Sequence, residues 1–387
     1  MIRVELVTGE GIEVLNSARD EWSRLYSASE RNPFQSWNWT YAWFNAFGNR
    51  RSPALINVYD GNQLIGILPM FQEAQRILVS KLSRIALLSD RIGGADHLGP
   101  ICRVEDTASV VQAALEFLVS KTESDIIDFG HIDADAELAN VVSPDDRFTA
   151  RKTKVSVCPQ IDLRCGWDSV LNSSKRSQNF KRRLKKLRAE NGFEFRSIDS
   201  PNELSAAFER FLVLHEQRWQ KSGGSELSGH PKLVDFQRNV VSLLANDGLL
   251  RFDELWFDGE CRGSIYGFDN GSTFYFYNTG YDIRFPQFSI GLVLLGLSIQ
   301  NACERGIATY DLLRGDETYK SDWANRRIEQ VDLRLSRQRP MLQLHDLLSN
   351  GGVRLKELGK AVTPNGILEP LAALRRSLGR RHQLSDQ

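Results

Sequence analysis

A pattern of elements that occurs twice constrains this chain more than any single residue does. Residues 55–71 read as two strands joined at Asp60-Gly61, and residues 249–268 as two strands joined at Asp258-Gly259. Asp-Gly between alternating strands favours a tight type I′ turn, because both central residues then need positive φ. Each hairpin is followed by a helix and then by a short strand carrying an acid. In the first half these are residues 105–121 and Ile126-Ile127-Asp128-Phe129; in the second, residues 289–305 and Thr309-Tyr310-Asp311-Leu312. An antiparallel meander followed by a helix and a strand, met twice, predicts two copies of one mixed α/β unit, with Asp128 and Asp311 on equivalent strands. Length agrees, since 387 residues exceed what one hydrophobic core usually serves. We expect domains at 1–165 and 166–338, divided near Cys165-Gly166, and a C-terminal helical extension at 339–387, helical over 342–358 with a frayed basic end.

Charge narrows the functional classes. Forty-nine basic residues balance forty-nine acidic ones, so no global field draws the chain to nucleic acid or to an anionic membrane. Locally the balance fails. Between Lys175 and Arg188 stand Arg176, Lys181, Arg182, Arg183, Lys185 and Lys186, with Phe180, Leu184 and Leu187 at helical spacing, which predicts a basic amphipathic helix over 173–190. Such a face is a solvated surface, a tRNA contact, or a contact to the phosphates of a nucleotide- or lipid-linked saccharide. Only Phe180 interleaves the charges, which argues against stacking of single-stranded bases. Five scattered cysteines without a C-x-x-C pair predict no zinc or redox site, and no metal is expected. The N-terminus reaches charge too early for a signal peptide, and the uncharged run 285–301 is too short to span a bilayer, so we expect a cytoplasmic protein without membrane insertion. No H-E-x-x-H, G-x-S-x-G or Walker-type loop is present.

The densest chemistry lies between residues 278 and 323. A strand ends near Tyr281, a loop with Pro286 follows, and a helix begins at about Ser289 with Gly291 in its first turn. Helix N-termini offer unpaired N–H groups and a positive dipole end, so Phe288, Ser289, Ile290, Gly291 and Leu292 are candidates to hold a pyrophosphate, with Ser289 able to cap the helix. The structural alternative is a capped core helix in which Gly291 permits close packing. The next strand delivers Asp311 and Arg314 to its end, Gly315 turns the chain, and Tyr319-Lys320 follow.

Here the chain resembles a known family. Tyr281, Gly291, Asp311, Arg314-Gly315-Asp316 and Tyr319-Lys320-Ser321-Asp322-Trp323 look like the C-terminal signature of GNAT-type acyltransferases of the CelD-like, cellulose-biosynthesis kind. Those are similar in turn to the Fem transferases that build peptidoglycan bridges. Leu214-His215-Glu216-Gln217-Arg218-Trp219 and the basic helix also resemble that family, and the likeness extends to the aromatic segment from Asn32 to Trp39. It implies tandem GNAT-like (acyl-CoA N-acyltransferase) domains. It also implies an N-acyltransferase moving an acetyl or other acyl group from acyl-CoA to an amino group, on a saccharide or polysaccharide precursor. One departure bears on the donor: the segment from Gln287 to Val293 lacks the spacing and the second small residue of the usual Q/R-x-x-G-x-G/A loop. The Fem relatives take aminoacyl-tRNA on the same fold, so an aminoacyl-tRNA donor is the alternative. A third reading is a catalytically inactive binding or scaffold protein of polysaccharide synthesis, since no Arg-Gly-Asp…Tyr-Lys counterpart follows Asp128.

Acyl transfer to an amine needs the amine unprotonated, a polarised thioester carbonyl, and a proton for the departing thiolate. Tyr319 suits the last role, because a phenol titrating near ~10 can donate to a leaving thiolate; the structural alternative is a Tyr packed at a domain edge. His215 and Asp311 are the candidate bases. Arg218, Arg314 and Lys320 are candidates to bind an anionic donor or acceptor, and Asp96 and His97 to line the acceptor side between the domains. The cluster Trp37, Trp39, Tyr41, Trp43 and Phe44 is either a sugar platform or, as dense aromatics more often are, core or interface.

Overall fold

The computed structural model describes residues 1–338, apart from residues 10, 78–79, 90, 142–145, 221–224, 226 and 228. The expected C-terminal extension at 339–387 lies outside the described residues. In chain order the first half forms β1 (Ile2–Thr8), α1 (Glu13–Ala28), α2 (Trp37–Phe47), β2 (Arg51–Asp60), β3 (Gln63–Ile77), β4 (Ser80–Leu87), β5 (Ile101–Cys102), α3 (Thr107–Lys121), β6 (Ile126–Asp133) and β7 (Phe148–Asp162). The second forms α4 (Trp167–Ser173), α5 (Ser177–Leu187), β8 (Glu194–Ile198), α6 (Pro201–Gln220), α7 (Pro231–Leu244), β9 (Leu250–Phe257), β10 (Glu260–Asp269), β11 (Thr273–Tyr281), α8 (Ile290–Glu304), β12 (Thr309–Asp311), α9 (Thr318–Ser321) and β13 (Arg326–Arg337).

Both Asp-Gly hairpins form, by different turns. Asp258 (φ 51) and Gly259 (φ 73) are the two central residues between β9 and β10, as a type I′ turn requires. In the first hairpin Asp60 stays in β2, paired with Gln63, and the turn shifts to Gly61-Asn62 with Gly61 at φ 58. The basic helix is shorter than expected. Ser174 is extended and closes α4, its hydroxyl donating to the Asp322 carbonyl at 3.1 Å, so α5 starts only at Ser177.

The strands join one mixed sheet in the order β1-β2-β3-β4-β6-β13-β7-β12-β11-β10-β9-β8, with β5 beside β3. The order reads the same from both ends if each element of one half is matched with its counterpart in the other. A meander (β2-β3-β4, or β9-β10-β11) is followed by one parallel strand (β6 or β12), and an antiparallel strand from the opposite half completes each set. β13 pairs with β6, and β7 pairs with β12. The exchanged strands pair with each other along their length, from Arg326↔Gln160 to Arg337↔Phe148. Asp128 lies opposite Ala86 of β4, and Asp311 opposite Tyr275 of β11, the third parallel pair in each register. The two acids therefore stand on equivalent strands.

Side chains lock the halves together as well. Trp39 of α2 is fully buried, its ring centroid 5.1 Å from Phe236 on α7 and 5.8 Å from Phe268 on β10. Trp37 and Trp43 are buried too. The aromatic cluster is thus core and interface, not a sugar platform; edge-to-face contacts of this kind add to the apolar burial itself. A second core lies mainly in the second half, with Ile161 of the exchanged strand β7 joining it, and there Phe180, Leu184 and Leu187 of α5 pack against α8 and Trp323.

Candidate functional site

A cleft opens where β11 and β12 part. The two strands pair in parallel only through Thr273↔Thr309, Phe274↔Tyr310 and Tyr275↔Asp311. Beyond Asp311 the chain turns to β7: the Leu312 N–H donates to the Pro159 carbonyl at 2.9 Å and the Gly315 N–H to the Val157 carbonyl at 3.0 Å. β11 continues to Tyr281 without that neighbour, and the gap becomes a cleft of about 310 Å³ walled by residues 276–279 on one side and 312–314 on the other. α6 supplies Arg218 and Trp219, α7 supplies Gln237, and Glu317, Tyr319 and Lys320 close one end.

The first half supplies part of the wall, through Arg91, Gly93, Gly94 and Asp96. Gly93 and Gly94 have φ of 86° and 77°, and a Cβ would come within 2.8 Å of the Phe236 ring at Gly93 and 3.1 Å of the Tyr277 hydroxyl at Gly94. Only glycine lets this loop lie on the other half's cleft. The Tyr277 hydroxyl donates to the Gly93 carbonyl and accepts from Gln237 Nε2 at 2.7 Å.

Of the expected residues, Tyr319, Arg218, Arg314, Lys320 and Asp96 line this cleft. Burial holds the Tyr319 phenol well above its ordinary range; the Glu317 charge adds to that rise, and the charge of the nearby Arg218 guanidinium opposes it. The phenol keeps its proton at neutral pH. Arg218 also donates to the Thr279 carbonyl at 3.0 Å and lies over the Tyr281 ring at 5.0 Å. Arg314 is engaged across the seam: its Nε is 2.7 Å from the Asp96 carboxylate, its Nη1 donates to His131 Nε2 at 2.7 Å, and its Nη2 to the Ala95 carbonyl. Burial, reinforced by Arg314, pushes His131 down to about 4, so it accepts this bond as a neutral ring. Lys320, expected to meet an anion, is buried and directs its ammonium to the carbonyls of Arg314 (2.6 Å) and Leu313 (3.4 Å) and to Glu317 (3.3 Å). It clasps the turn that presents Tyr319.

His215 and Asp311 stand behind the cleft wall. His215 is buried between α6 and β11, with Nδ1 3.2 Å from the Thr279 carbonyl and Nε2 3.0 Å from Ser225 Oγ. Burial pushes it down to about 4, with the Thr279 carbonyl opposing and Arg218 reinforcing the shift. The neutral ring donates through Nδ1 and accepts at Nε2, so both nitrogens are already engaged. Asp311 is buried, accepts from the Leu313 N–H at 2.7 Å and from Gln160 Nε2 at 2.6 Å, and faces His97. His97 bridges Asp311 and Asp133. Burial works against its protonation, but the Asp311 charge and the bond to Asp133 hold its pKa well above the ordinary value. The expected pairing of Asp96 with His97 as acceptor-side residues therefore divides: Asp96 lines the cleft and His97 lies beneath it.

Phe288, Ser289, Ile290, Gly291 and Leu292 do not line the cleft; Tyr281 joins the two places, touching Gly291 on one side and Arg218 on the other. Ser289 sits at the N-cap with φ 53 and its side chain makes no capping bond. Its carbonyl takes the Leu292 and Val293 N–H groups, and no backbone bond among the described residues takes those of Ile290 or Gly291. A Cβ on Gly291 would fall 2.8 Å from the Tyr281 ring, so packing alone requires glycine there. The basic helix borders this turn, with Arg183 donating to the Gln287 carbonyl and Lys186 5.1 Å above the Phe288 ring.

Sequence reasoning missed Gln237, Tyr277 and the part that Gly93 and Gly94 play in the wall, and it gave Trp219 only as part of a motif, without a place in the site. Gln237 did leave a signal, as a polar residue beside Phe236 within the apolar stripe of α7 that continues through Val240, Val241 and Leu244. The others depend on how the halves meet.

Residues 174–321 match the family model described as Acetyltransferase (GNAT) domain. Among solved structures, FemX aligns over 88% of this chain and 99% of its own, at 12% identity and a TM-score of 0.59. The C-terminal domain of a protein designated a lysylphosphatidylglycerol synthetase, from Agrobacterium fabrum, aligns over 86% and 96%, at 9% identity and a TM-score of 0.53. A protein of unknown function from Bacteroides thetaiotaomicron aligns over 83% and 97%, at 11% identity and a TM-score of 0.52. At these identities the likeness is one of fold. No curated protein sequence matches the chain. No helix among the described residues is long and apolar enough to cross a membrane. Residues 174–321 thus match an acetyltransferase (GNAT) domain, which makes the protein an acyltransferase, and its sheet holds two copies of one fold joined by exchanged strands.

Proposed function

We propose that the protein is an N-acyltransferase that moves an acetyl or other acyl group from acyl-CoA to an amino group, on a saccharide or polysaccharide precursor. The observation that carries this reading is the parting of β11 and β12 beside Tyr319, with the α8 N-terminus one aromatic ring away. A thioester arm laid along the bare edge of β11 brings its diphosphate to the N–H groups of Ile290 and Gly291 and its carbonyl into the cleft. The free amine attacks that carbonyl, the C–S bond breaks as the C–N bond forms, and Tyr319 gives its proton to the thiolate. Arg218, whose charge already acts on the phenol, stabilises the phenolate left behind. Glu317, on the cleft rim and more than half exposed, takes the proton lost by the amine. His215 and Asp311 contribute by position, holding α6 against β11 and closing β12. A saccharide acceptor rests on the family resemblance.

The test is thermal unfolding of the full chain with acetyl-CoA, longer acyl-CoAs and CoA. A ligand at a hundredfold excess over its Kd adds about 2.7 kcal/mol to the native state. A midpoint unmoved by all three removes the donor from this reading.

One feature favours an aminoacyl-tRNA donor instead. Of the cations between Lys175 and Arg188, Arg176 pairs with Asp322, and the structure describes no acidic partner for Lys181, Arg182, Lys185 or Lys186. A polyanion would find that helix beside the α8 N-terminus. Binding of tRNA with a steep salt slope, and none of CoA, decides for this alternative; silence to both donors leaves a scaffold.

A further inference from the structure

His97, Cys158 and Asp311 meet at the seam where the halves exchange strands, and we infer that together they hold a divalent metal ion of the zinc type. A ring nitrogen of His97, Sγ of Cys158 and a carboxylate oxygen of Asp311 lie within 4.8 Å of one another, the one such grouping among the described residues. Three pieces of chain deliver them. His97 comes from the loop between β4 and β5 of the first half, Asp311 ends β12, and Cys158 sits on the exchanged strand β7. Asp311 pairs with Gln160 in the β7–β12 register, and strand alternation places Cys158 on the same face as Gln160.

The surroundings are those of a ligand set. Nδ1 of His97 is held by both oxygens of Asp133, at 2.7 and 2.9 Å. Its Nε2 is buried and lies 3.1 Å from Asp311 Oδ2, without the alignment of a hydrogen bond. A carboxylate gripping one imidazole nitrogen while the other faces the metal is the outer-shell arrangement that orients metal-binding histidines. Asp311 is fixed in its turn by the Leu313 N–H and by Gln160. Thiolate, imidazole and a single carboxylate suit zinc or cobalt, whereas magnesium and calcium want oxygen alone. Charge agrees, because a divalent ion with the Cys158 thiolate and the Asp311 carboxylate makes a neutral unit, which burial tolerates. Binding releases the thiol proton and the proton on Nε2 to solvent. Three protein ligands leave the fourth tetrahedral position to water.

Such an ion ties the loop that carries Asp96 to the strand end that carries Leu312, Leu313 and Arg314, the two walls of the cleft on this side. The expectation of no metal came from local cysteine spacing, and these ligands are brought together only by the strand exchange.

The test uses the full chain, stripped with a chelator and titrated with Co²⁺. One equivalent should bind, give a thiolate-to-cobalt charge-transfer band in the near ultraviolet, and be displaced by Zn²⁺. Cys158→Ser should abolish the band. Asp133→Asn keeps all three ligands and should weaken Co²⁺ binding by about 10- to 100-fold, so the inference stays testable if Cys158→Ser fails to fold. Cys165→Ser, at an exposed cysteine, should change neither. No band in the parent, a band surviving Cys158→Ser, or binding indifferent to Asp133→Asn would overturn the inference and leave His97 as an imidazolium between two carboxylates. None of these readings depends on the acyl donor.

Discussion

Gly280→Ala isolates the contact between α6 and β11. A Cβ at residue 280 would lie 2.7 Å from the Leu214 carbonyl carbon and 2.8 Å from His215 Cα, and closer still to the His215 nitrogen. These are backbone atoms of a long helix and cannot rotate away, and ordinary contact begins only at 3.4 Å. α6 must retreat by roughly 1 Å, the scale of misplacement that can cost a catalyst ~10²-fold. The retreat stretches two bonds to the Thr279 carbonyl, from His215 Nδ1 at 3.2 Å and from Arg218 at 3.0 Å. Overpacking of about 1–3 kcal/mol and two weakened hydrogen bonds at about 1 kcal/mol each give a loss of roughly 3–5 kcal/mol. For a domain of ~150–250 residues, at ~2–4 °C per kcal/mol, the midpoint falls by roughly 6–20 °C. The assay is a thermal melt and single-turnover acyl transfer on the same preparation. Gly99→Ala, where an added Cβ meets nothing within 4 Å, serves as the control. An unchanged midpoint and unchanged turnover in Gly280→Ala would refute the claim that this glycine seats the helix carrying Arg218 and Trp219.

Tyr319→Phe removes a proton donor and keeps the ring: turnover should drop by about 10²-fold or more with donor affinity near its starting value, and normal turnover with a lowered midpoint would make Tyr319 architectural. Gly291→Val drives a side chain into the Tyr281 ring, now 2.8 Å from the Cβ position, so it should lower the melting midpoint even without ligand and weaken donor binding in titration calorimetry; a fully stable variant with parental CoA affinity would separate this turn from the donor. His215 titrates near 6.5 when unfolded but only at about 4 when folded, so the unfolded chain binds more protons between those values and stability falls as pH drops through that window. The loss is on the order of 3 kcal/mol for this group, and His131 adds a similar slope. His215→Asn should flatten the pH dependence of urea midpoints by about half relative to the parent, and an unaltered slope would mean that His215 is not held neutral.

The order of elements, the two hairpins and the equivalence of Asp128 and Asp311 were legible along the chain, because hydrophobic period and turn chemistry are local properties. So was the motif after Asp311, whose Arg314, Gly315 and Tyr319 are close in sequence and fall at one strand end. Which half a strand joins was not legible: β7 and β13 cross over because their pairing partners lie more than a hundred residues away, and backbone hydrogen bonds carry no sequence label. Burial changed the roles expected of other residues. Lys320 became a clasp and His215 a buried neutral ring, since burial and nearby carbonyls, not residue type, decide what a titratable group does. Gly291 and Gly280 illustrate the limit. Sequence marks a glycine, but only the packed structure shows that Tyr281 or the backbone of α6 occupies the space a side chain would need.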